Sequence, residues 1–197
     1  MKVGVIAVQG AVSEHVAAFE LAFGELGVRG SVVTVRKPAE LDTVDALALP
    51  GGESTTISML LAKFGLYDRI RERALDGMPV MGTCAGLIMM AKEGDAQVGG
   101  TGTRLLELMD MKVSRNAFGR QRESFEAPVR IDGLDGGPFP AVFIRAPSIL
   151  SVSGKCKPIA RFEKRIVAAR QGSMLALAFH PELSGDTRLH KAFLSMI

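Results

Sequence analysis

Hydrophobic positions in the N-terminal half of the chain change period in a regular rhythm. Val3 to Val8 is a short apolar run that stops at Gln9-Gly10, and Val12 to Leu26 then places Val16, Phe19, Phe23 and Leu26 at helical spacing. The pair reads as a strand followed by a helix. Gly27 to Gly30 punctuate the chain; Ser31 to Val35 and Ala46 to Leu49 read as two further strands, the second buried and ending at Pro50-Gly51-Gly52. Ser54 and Thr55 offer N-caps for a helix through Lys63, Tyr67 to Leu75 reads as another helix, and Pro79 to Gly82 as a short apolar strand. Such alternation predicts a parallel sheet with helices on both faces.

Beyond about Gly94 the texture shifts to shorter β-like runs, at Asp110–Val113, Phe125–Ile131, Val142–Ile144, Ile159–Phe162, Ile166–Ala169 and Met174–Phe179. These predict antiparallel additions to the sheet. The Gly/Pro-rich stretch Asp132 to Pro140 reads as a loop between strands, and Thr187 to Met196 as a closing helix. The expected fold class is α/β, a mixed and mostly parallel central sheet, with residues 1–197 in a single domain.

Composition narrows the function classes. With 47% hydrophobic and 23% charged residues the chain can bury a substantial core. Its formal charge of +3 comes from basic residues scattered among 21 acidic ones, which argues against nucleic acid as a partner. The apolar run near the N-terminus is too short to cross a bilayer and passes into an amphipathic pattern, so neither a membrane segment nor a signal peptide is expected. Two cysteines in unlike settings, Cys84 and Cys156, do not make a disulfide scaffold, and a cytoplasmic location fits.

The sharpest chemical signal is Gly82-Thr83-Cys84-Ala85-Gly86, a G-x-C-x-G stretch between an apolar strand and the helical-looking Leu87–Ala91. A nucleophile on a tight strand-to-helix turn needs small residues two before and two after it, because the backbone doubles back and neighbouring chains pass close. The turn also sets the sulfur at a helix N-terminus, where unpaired N–H groups and the helix dipole favour an anion. Taken alone, the motif also fits a buried structural cysteine beside two packing glycines. Cys156, in Ser153-Gly154-Lys155-Cys156-Lys157, has no elbow and reads as a bystander.

A thiol nucleophile needs a proton relay, and the chain has three histidines. His15 and His190 lie in amphipathic helical stretches and are expected at the surface or at a partner contact. His180 follows the apolar run Leu175–Phe179 and precedes Pro181, which favours an extended conformation for it. In extended backbone, residues i and i+2 point to one side, so Glu182 can lie alongside His180 and fix its tautomer. The expected triad is Cys84, His180 and Glu182.

Attack on a carboxamide develops charge on its oxygen, for which backbone N–H groups are the usual receptor. The amides of Ala85, next to the nucleophile, and of Gly51, in the glycine turn after a parallel strand, are the candidates. A free amino acid substrate carries an ammonium and a carboxylate, so its pocket should hold at least one acid and one base: Glu53 suits the ammonium, and Arg115 and Arg145 are candidates for fixing the substrate's polar groups, although a single loop arginine also fits a solvated surface residue.

Assembled, these blocks resemble class I glutamine amidotransferases and, within them, the glutaminase subunits of pyridoxal 5′-phosphate synthases. The likeness rests on GVIAVQGAVSEH, LPGGESTT, GTCAGLI, RNAFGRQ, FIRAP, HPEL and DTRLHKAFLSM, and spans nearly the whole chain. It implies a three-layer, flavodoxin-like fold and hydrolysis of L-glutamine through a thioester on Cys84. It further implies a glutamine pocket of Gly51, Gly52, Glu53, Arg115, Ile144 and Arg145, with Gln9 and Gly10 near the oxyanion turn and the partner contact. The implied partner is a separate barrel-shaped synthase subunit of the PdxS type, and neither a cofactor nor a metal is implied on this chain. One departure is Leu106-Glu107-Leu108-Met109-Asp110-Met111, where the resemblance leads one to expect a glycine. Met89 and Met90, which follow the elbow, read as core fillers and not as the wall of an ammonia channel. Three alternatives stay open on sequence: a glutaminase serving histidine or nucleotide synthesis, a cysteine hydrolase of other specificity, and a catalytically silent binding module. An α/β-hydrolase is disfavoured by chain order, since its acid precedes its histidine whereas Glu182 follows His180.

Overall fold

The expected rhythm is realised closely in the N-terminal half. In the computed structural model, which describes residues 1–115, 117–118 and 124–197, the chain forms β1 (Lys2–Ile6), α1 (Val12–Leu26), β2 (Ser31–Val35), α2 (Pro38–Leu41), β3 (Ala46–Leu49), α3 (Ser54–Lys63), α4 (Leu66–Leu75) and β4 (Val80–Thr83). The short helix α5 (Ala85–Met90) follows at once, then β5 (Ala91–Gly94) and α6 (Ala96–Gly99). The remainder supplies β6 (Met109–Ser114), β7 (Ser124–Val129), β8 (Phe139–Ile144), β9 (Ser148–Val152), β10 (Lys157–Phe162), β11 (Arg165–Gln171), β12 (Met174–Leu177), a 3₁₀ turn at Pro181–Leu183 and α7 (Arg188–Leu194).

The main sheet runs β2-β1-β3-β4-β12-β11-β9-β6-β5, with β10 paired to β11 beside this path and β7–β8 as a separate antiparallel ribbon. Strands β2, β1, β3, β4 and β12 are mutually parallel; β11, β9 and β6 join antiparallel. From β1 the chain crosses by α1 to β2 on one side, and later leaves β3 by α3 and α4 to β4 on the other. Right-handed crossovers taken in opposite directions put their helices on opposite faces. Accordingly α1 packs with α7, and α3 with α4 and α5. The crevice beyond the C-terminal ends of β1 and β3 is the switch point at which open α/β sheets receive ligands.

Several expectations are corrected. The cap of α3 is neither Ser54 nor Thr55 but Glu53, whose carboxylate accepts the Thr55 and Thr56 amides at 3.2 and 2.8 Å. Part of the predicted loop Asp132–Pro140 is strand: β8 starts at Phe139, which is fully buried and pairs with Val129. Helices α2 and α6 and strands β5 and β9 were not expected; each is short, and polar residues interrupt its apolar pattern. Glu107 adopts φ 55, the left-handed region where a side chain costs about 1 kcal/mol relative to glycine, so the missing glycine leaves a strained residue. Met89 and Met90 are fully buried, and Met90 packs on Gly82, consistent with a filling role.

The largest correction concerns histidine. His15 and His190 have no exposed surface. His15 shares the inward stripe of α1 with Phe19, Ala22 and Phe23, and the His190 ring meets Phe19 edge-on at 4.9 Å. Neither His190 nitrogen has a hydrogen-bond partner among the described residues. Burial therefore pushes its pKa down to about 3, with the nearby His15 adding to the effect. The unfolded chain takes up this proton near pH 6.5, whereas the folded chain refuses it until far lower pH, so stability is lost as pH falls through that window. At pH 5 the loss is about 2 kcal/mol from this group. His190→Leu should therefore flatten the fall in stability between pH 8 and pH 5 in denaturant titrations, and equal falls in variant and parent would contradict this origin of acid sensitivity.

Candidate active site

Four strand ends converge on the crevice. β1 contributes Gln9 and Gly10, β3 contributes Gly51 to Ser54, β4 contributes Cys84, and β12 is followed by His180. With Ala11, Ala85, Ile88, Arg115, Ile144, Arg145 and Pro147 they line a cavity of about 400 Å³. Every residue expected to act on or bind substrate, except Glu182, is thus on the wall of one cavity. Glu182 lies buried behind His180.

The elbow is built as its glycines require. Cys84 has φ 50 and ψ −106, a backbone state that few side chains adopt, and it is locked at both ends: its amide donates to Leu177 O of β12 at 2.8 Å, and its carbonyl accepts the Ile88 amide of α5 at 3.3 Å. A β-carbon on Gly86 would approach Leu49 O to 2.0 Å, and one on Gly82 would lie 2.7 Å from the Gly86 carbonyl. The Cys84 side chain is about 9% exposed and its sulfur is 3.9 Å from Ile144 O. Cys156 is buried far from this chemistry beside Asp110, and burial with that charge raises its thiol to about 11. It has no part in the cavity.

His180 donates its backbone N–H to Val142 O of β8 at 2.8 Å, and Nδ1 of its ring is 2.7 Å from Glu182 Oε1. The ring is set beside Cys84: His180 Cε1 and the Cys84 β-carbon both border Gly51, where an added β-carbon would meet them at 2.5 and 3.2 Å. Burial opposes charge on His180, but Cys84 and the hydrogen-bonded Glu182 beside it outweigh that opposition and raise its pKa to about 10. Burial likewise opposes the Glu182 carboxylate, and the His180 bond with the neighbouring imidazoles keeps it below the usual carboxylate range. The i, i+2 adjacency arises differently from the extended geometry expected. Pro181 is set to start a 3₁₀ turn, and Glu182 reaches back to His180 from within that turn.

The glycine turn is interlocked with the loop after β1. Gly51 O accepts the Ala11 amide at 3.3 Å, and Gln9 Oε1 accepts the Glu53 amide at 2.9 Å. Gly10 has φ 112 and no room for a side chain, since a β-carbon would fall 1.8 Å from Gly51 O. Glu53, besides capping α3, pairs with Arg115 Nη2 at 2.8 Å. Burial disfavours its charge, yet the amides and hydroxyls of Thr56 and Thr55 more than compensate and set its pKa at about 2. Arg145 stands exposed at the rim with φ 41. Of the Arg115–Gln121 block, Asn116, Gly119, Arg120 and Gln121 lie outside the described residues.

Two buried neighbours of the triad went unrecognised in the sequence. His15 Nε2 lies 3.0 Å from Thr83 Oγ1 and 3.4 Å from Glu182 Oε2. Their available signal was the position of His15, one helical turn before Phe19 and two before Phe23. No group of three or more histidine, cysteine or carboxylate side chains among the described residues is arranged to hold a metal ion. No helix among them is long and apolar enough to cross a membrane.

A cysteine elbow, a histidine beside it and a buried glutamate, set at the switch point of this sheet, define a class of enzyme. The chain belongs to the SNO glutamine amidotransferase family, whose pattern it matches over residues 5–197. It is 53% identical over 197 residues to the pyridoxal 5′-phosphate synthase subunit PdxT of Methanosarcina mazei, covering all of this chain and 98% of that protein. It is 54% identical over 196 residues to the protein of the same name from Archaeoglobus fulgidus, again covering all of this chain and 98% of the other. Among solved structures, one described as a glutamine amidotransferase superposes with a TM-score of 0.87 at 43% identity, covering 98% of this chain and 97% of that one. PurLQS from Thermotoga maritima shares the fold, with a TM-score of 0.60 at 17% identity over 99% of this chain and 96% of that one.

Proposed function

We propose that the chain hydrolyses L-glutamine to L-glutamate and ammonia through a thioester on Cys84, and supplies the ammonia to a pyridoxal 5′-phosphate synthase. The observation that carries this reading is His180, flanked on one side by Cys84 and hydrogen-bonded on the other to a buried carboxylate, at the wall of a cavity that also holds an acid and two arginines. The sulfur attacks the carboxamide carbon and forms the C–S bond, while the oxygen takes the negative charge beside the Ala85 and Gly51 backbone. His180, which holds its proton across the neutral range, gives it to the departing nitrogen as the C–N bond breaks. The ring, now neutral, accepts a proton from water; the resulting hydroxide attacks the thioester, the C–S bond breaks and glutamate leaves.

Gly51, Gly52, Glu53, Ile144, Arg115 and Arg145 form the glutamine pocket in this reading. The Glu53–Arg115 pair offers one acid and one base 2.8 Å apart, a match for the two charges of a free amino acid. The names of the relatives, subunits of a pyridoxal 5′-phosphate synthase, support the destination of the ammonia. In this reading it passes to a separate synthase subunit in a hetero-oligomer, and Gln9 and Gly10, on the loop after β1, lie at the contact. Because Gly51 O is held by the Ala11 amide, a partner that moves the loop after β1 would release the Gly51–Gly52 peptide to reorient toward an oxyanion. Two buried free thiols suit a reducing cytoplasm. The test is glutamate release from glutamine by the full chain, with and without the barrel synthase subunit. Release should rise with the partner and be accompanied by pyridoxal phosphate formation; equal rates would remove the activation step, and no release in either case would remove the glutaminase reading.

A further inference from the structure

Glu182 has two carboxylate oxygens, both in a side chain with no exposed surface, and the triad uses only one of them. Oε1 receives His180 Nδ1 at 2.7 Å; Oε2 has no hydrogen-bond partner that meets full geometry among the described residues. A bare, buried carboxylate oxygen is costly, and it leaves the group free to rotate away from the imidazole it must orient. The polar atom facing Oε2 is Nε2 of His15, 3.4 Å away, projecting from the first turn of α1. The same Nε2 is 3.0 Å from Thr83 Oγ1, one residue before the nucleophile, so His15 touches both the strand that carries Cys84 and the carboxylate that orients His180.

The protonation state of His15 follows from its neighbours. Burial is the main influence on it and lowers its pKa, His180 adds to that lowering, and Glu182 and Glu14 oppose it. His190 on α7 is the other titratable ring beside it, 6.0 Å between centroids. A neutral imidazole has one N–H to place. Nε2 has two oxygens within reach, whereas Nδ1 is buried without a partner, so the proton belongs on Nε2, where a lone pair would instead face a carboxylate.

We propose that His15 is a positioning residue of the glutaminase site: its one Nε2–H, shared between Thr83 Oγ1 at 3.0 Å and Oε2 of Glu182 at 3.4 Å, steadies the carboxylate and thereby keeps Oε1 aimed at Nδ1 of His180. The proposal rests on the Cys84–His180–Glu182 reading above and deepens it. A neutral donor suits the role, because a cation there would draw the Glu182 charge away from the imidazolium that forms during the reaction.

The test compares His15→Leu, which removes the donor at similar bulk, with His15→Gln, whose amide nitrogen reaches the position of Nε2, both in the full chain assayed for glutamate release together with the synthase subunit. His15→Leu should lower kcat by about 10- to 100-fold with KM nearly unchanged, the range typical of losing a supporting hydrogen bond to a catalytic constellation. It should also move the acid limb of the kcat/KM profile toward neutral pH, since Glu182 loses a donor that favours its ionised form. His15→Gln should restore both within about threefold, the residual reflecting looser geometry. A role in packing alone predicts no movement of the acid limb and no advantage of glutamine over leucine, and either result overturns the proposal. Should His15→Leu not fold, His15→Asn serves instead: its amide falls near Nδ1, so it must behave as the donor-less variant, and activity equal to that of His15→Gln overturns the proposal. Cys84→Ala, run alongside, separates the two levels: glutamate release surviving in that variant removes the underlying reading, whereas its loss together with a parental His15→Leu removes the positioning role alone.

Discussion

Cys84→Ala is expected to bring glutamate release down to background, a fall of about 10⁴-fold or more in kcat, while the protein melts close to its parent. The size of the effect follows from the absence of a second thiol at the site. Cys156 is buried outside the cavity, and of the other side chains on its wall the Glu53 carboxylate is occupied by the α3 amides and Arg115, while Ser54 is buried in the first turn of α3 with no hydrogen bond to His180 among the described residues. The small effect on stability follows from how the elbow is held. The amide and carbonyl bonds at residue 84 and the glycine contacts at positions 82 and 86 do not involve the sulfur, and removing one atom at the cavity wall opens no sealed void. Glutamate release above background in a folded Cys84→Ala protein would show that the chemistry belongs elsewhere.

Gly51→Ala is expected to cost activity in a different manner. A β-carbon there would stand 2.5 Å from His180 Cε1 and 3.2 Å from the Cys84 β-carbon. Gly51 has no left-handed φ, so the damage is not backbone strain but displacement of the imidazole by several tenths of an ångström to an ångström. Misplacement on that scale costs about 10²-fold in rate. Steady-state kinetics should show kcat falling by this factor with thermal stability nearly kept. A variant with parental kcat would mean that the imidazole has slack that the packing does not suggest. Gly86→Ala offers the contrast, since its clash is with the Leu49 backbone, which cannot move without disturbing β3.

Residues of the site were legible where local chain logic coincides with the fold. The elbow glycines were readable because their cause, close passage of neighbouring backbone, is general; the contacts at Leu49 and Gly86 supply the particulars. Gln9 and Gly10 had a reason only in three dimensions, since their partners Glu53 and Gly51 arrive from another strand. His180 with Glu182 was identified for a partly mistaken reason: the adjacency comes from a 3₁₀ turn begun by Pro181 and not from extended backbone. His15 and His190 were misplaced because histidine was counted among polar residues on an amphipathic helix. Yet His15 lies in register with Phe19, Ala22 and Phe23, and His190 with Phe193 and Leu194, the inward positions. The cap of α3 shows the same limit in miniature, since serine and threonine are the commoner caps but the Glu53 carboxylate reaches the second and third amides of the helix. The short elements β5, α6 and β9 have too few residues for any period to register; pairing with β6 makes β5 and β9 strands, while α6 is one turn capped by Asp95.

The insertion of β12 between β4 and β11 has a consequence for the birth of the protein. Val80 must wait for Met174 before β4 gains its second neighbour, so a nascent chain on the ribosome carries an unpaired apolar edge for about half of its synthesis. Long-range closure of this kind is slow and exposes the chain to aggregation. It also means that the strand which completes the sheet delivers the imidazole, three residues after its last pair. No ammonia can then be released by an unfinished molecule, and acquisition of structure and of activity become one event.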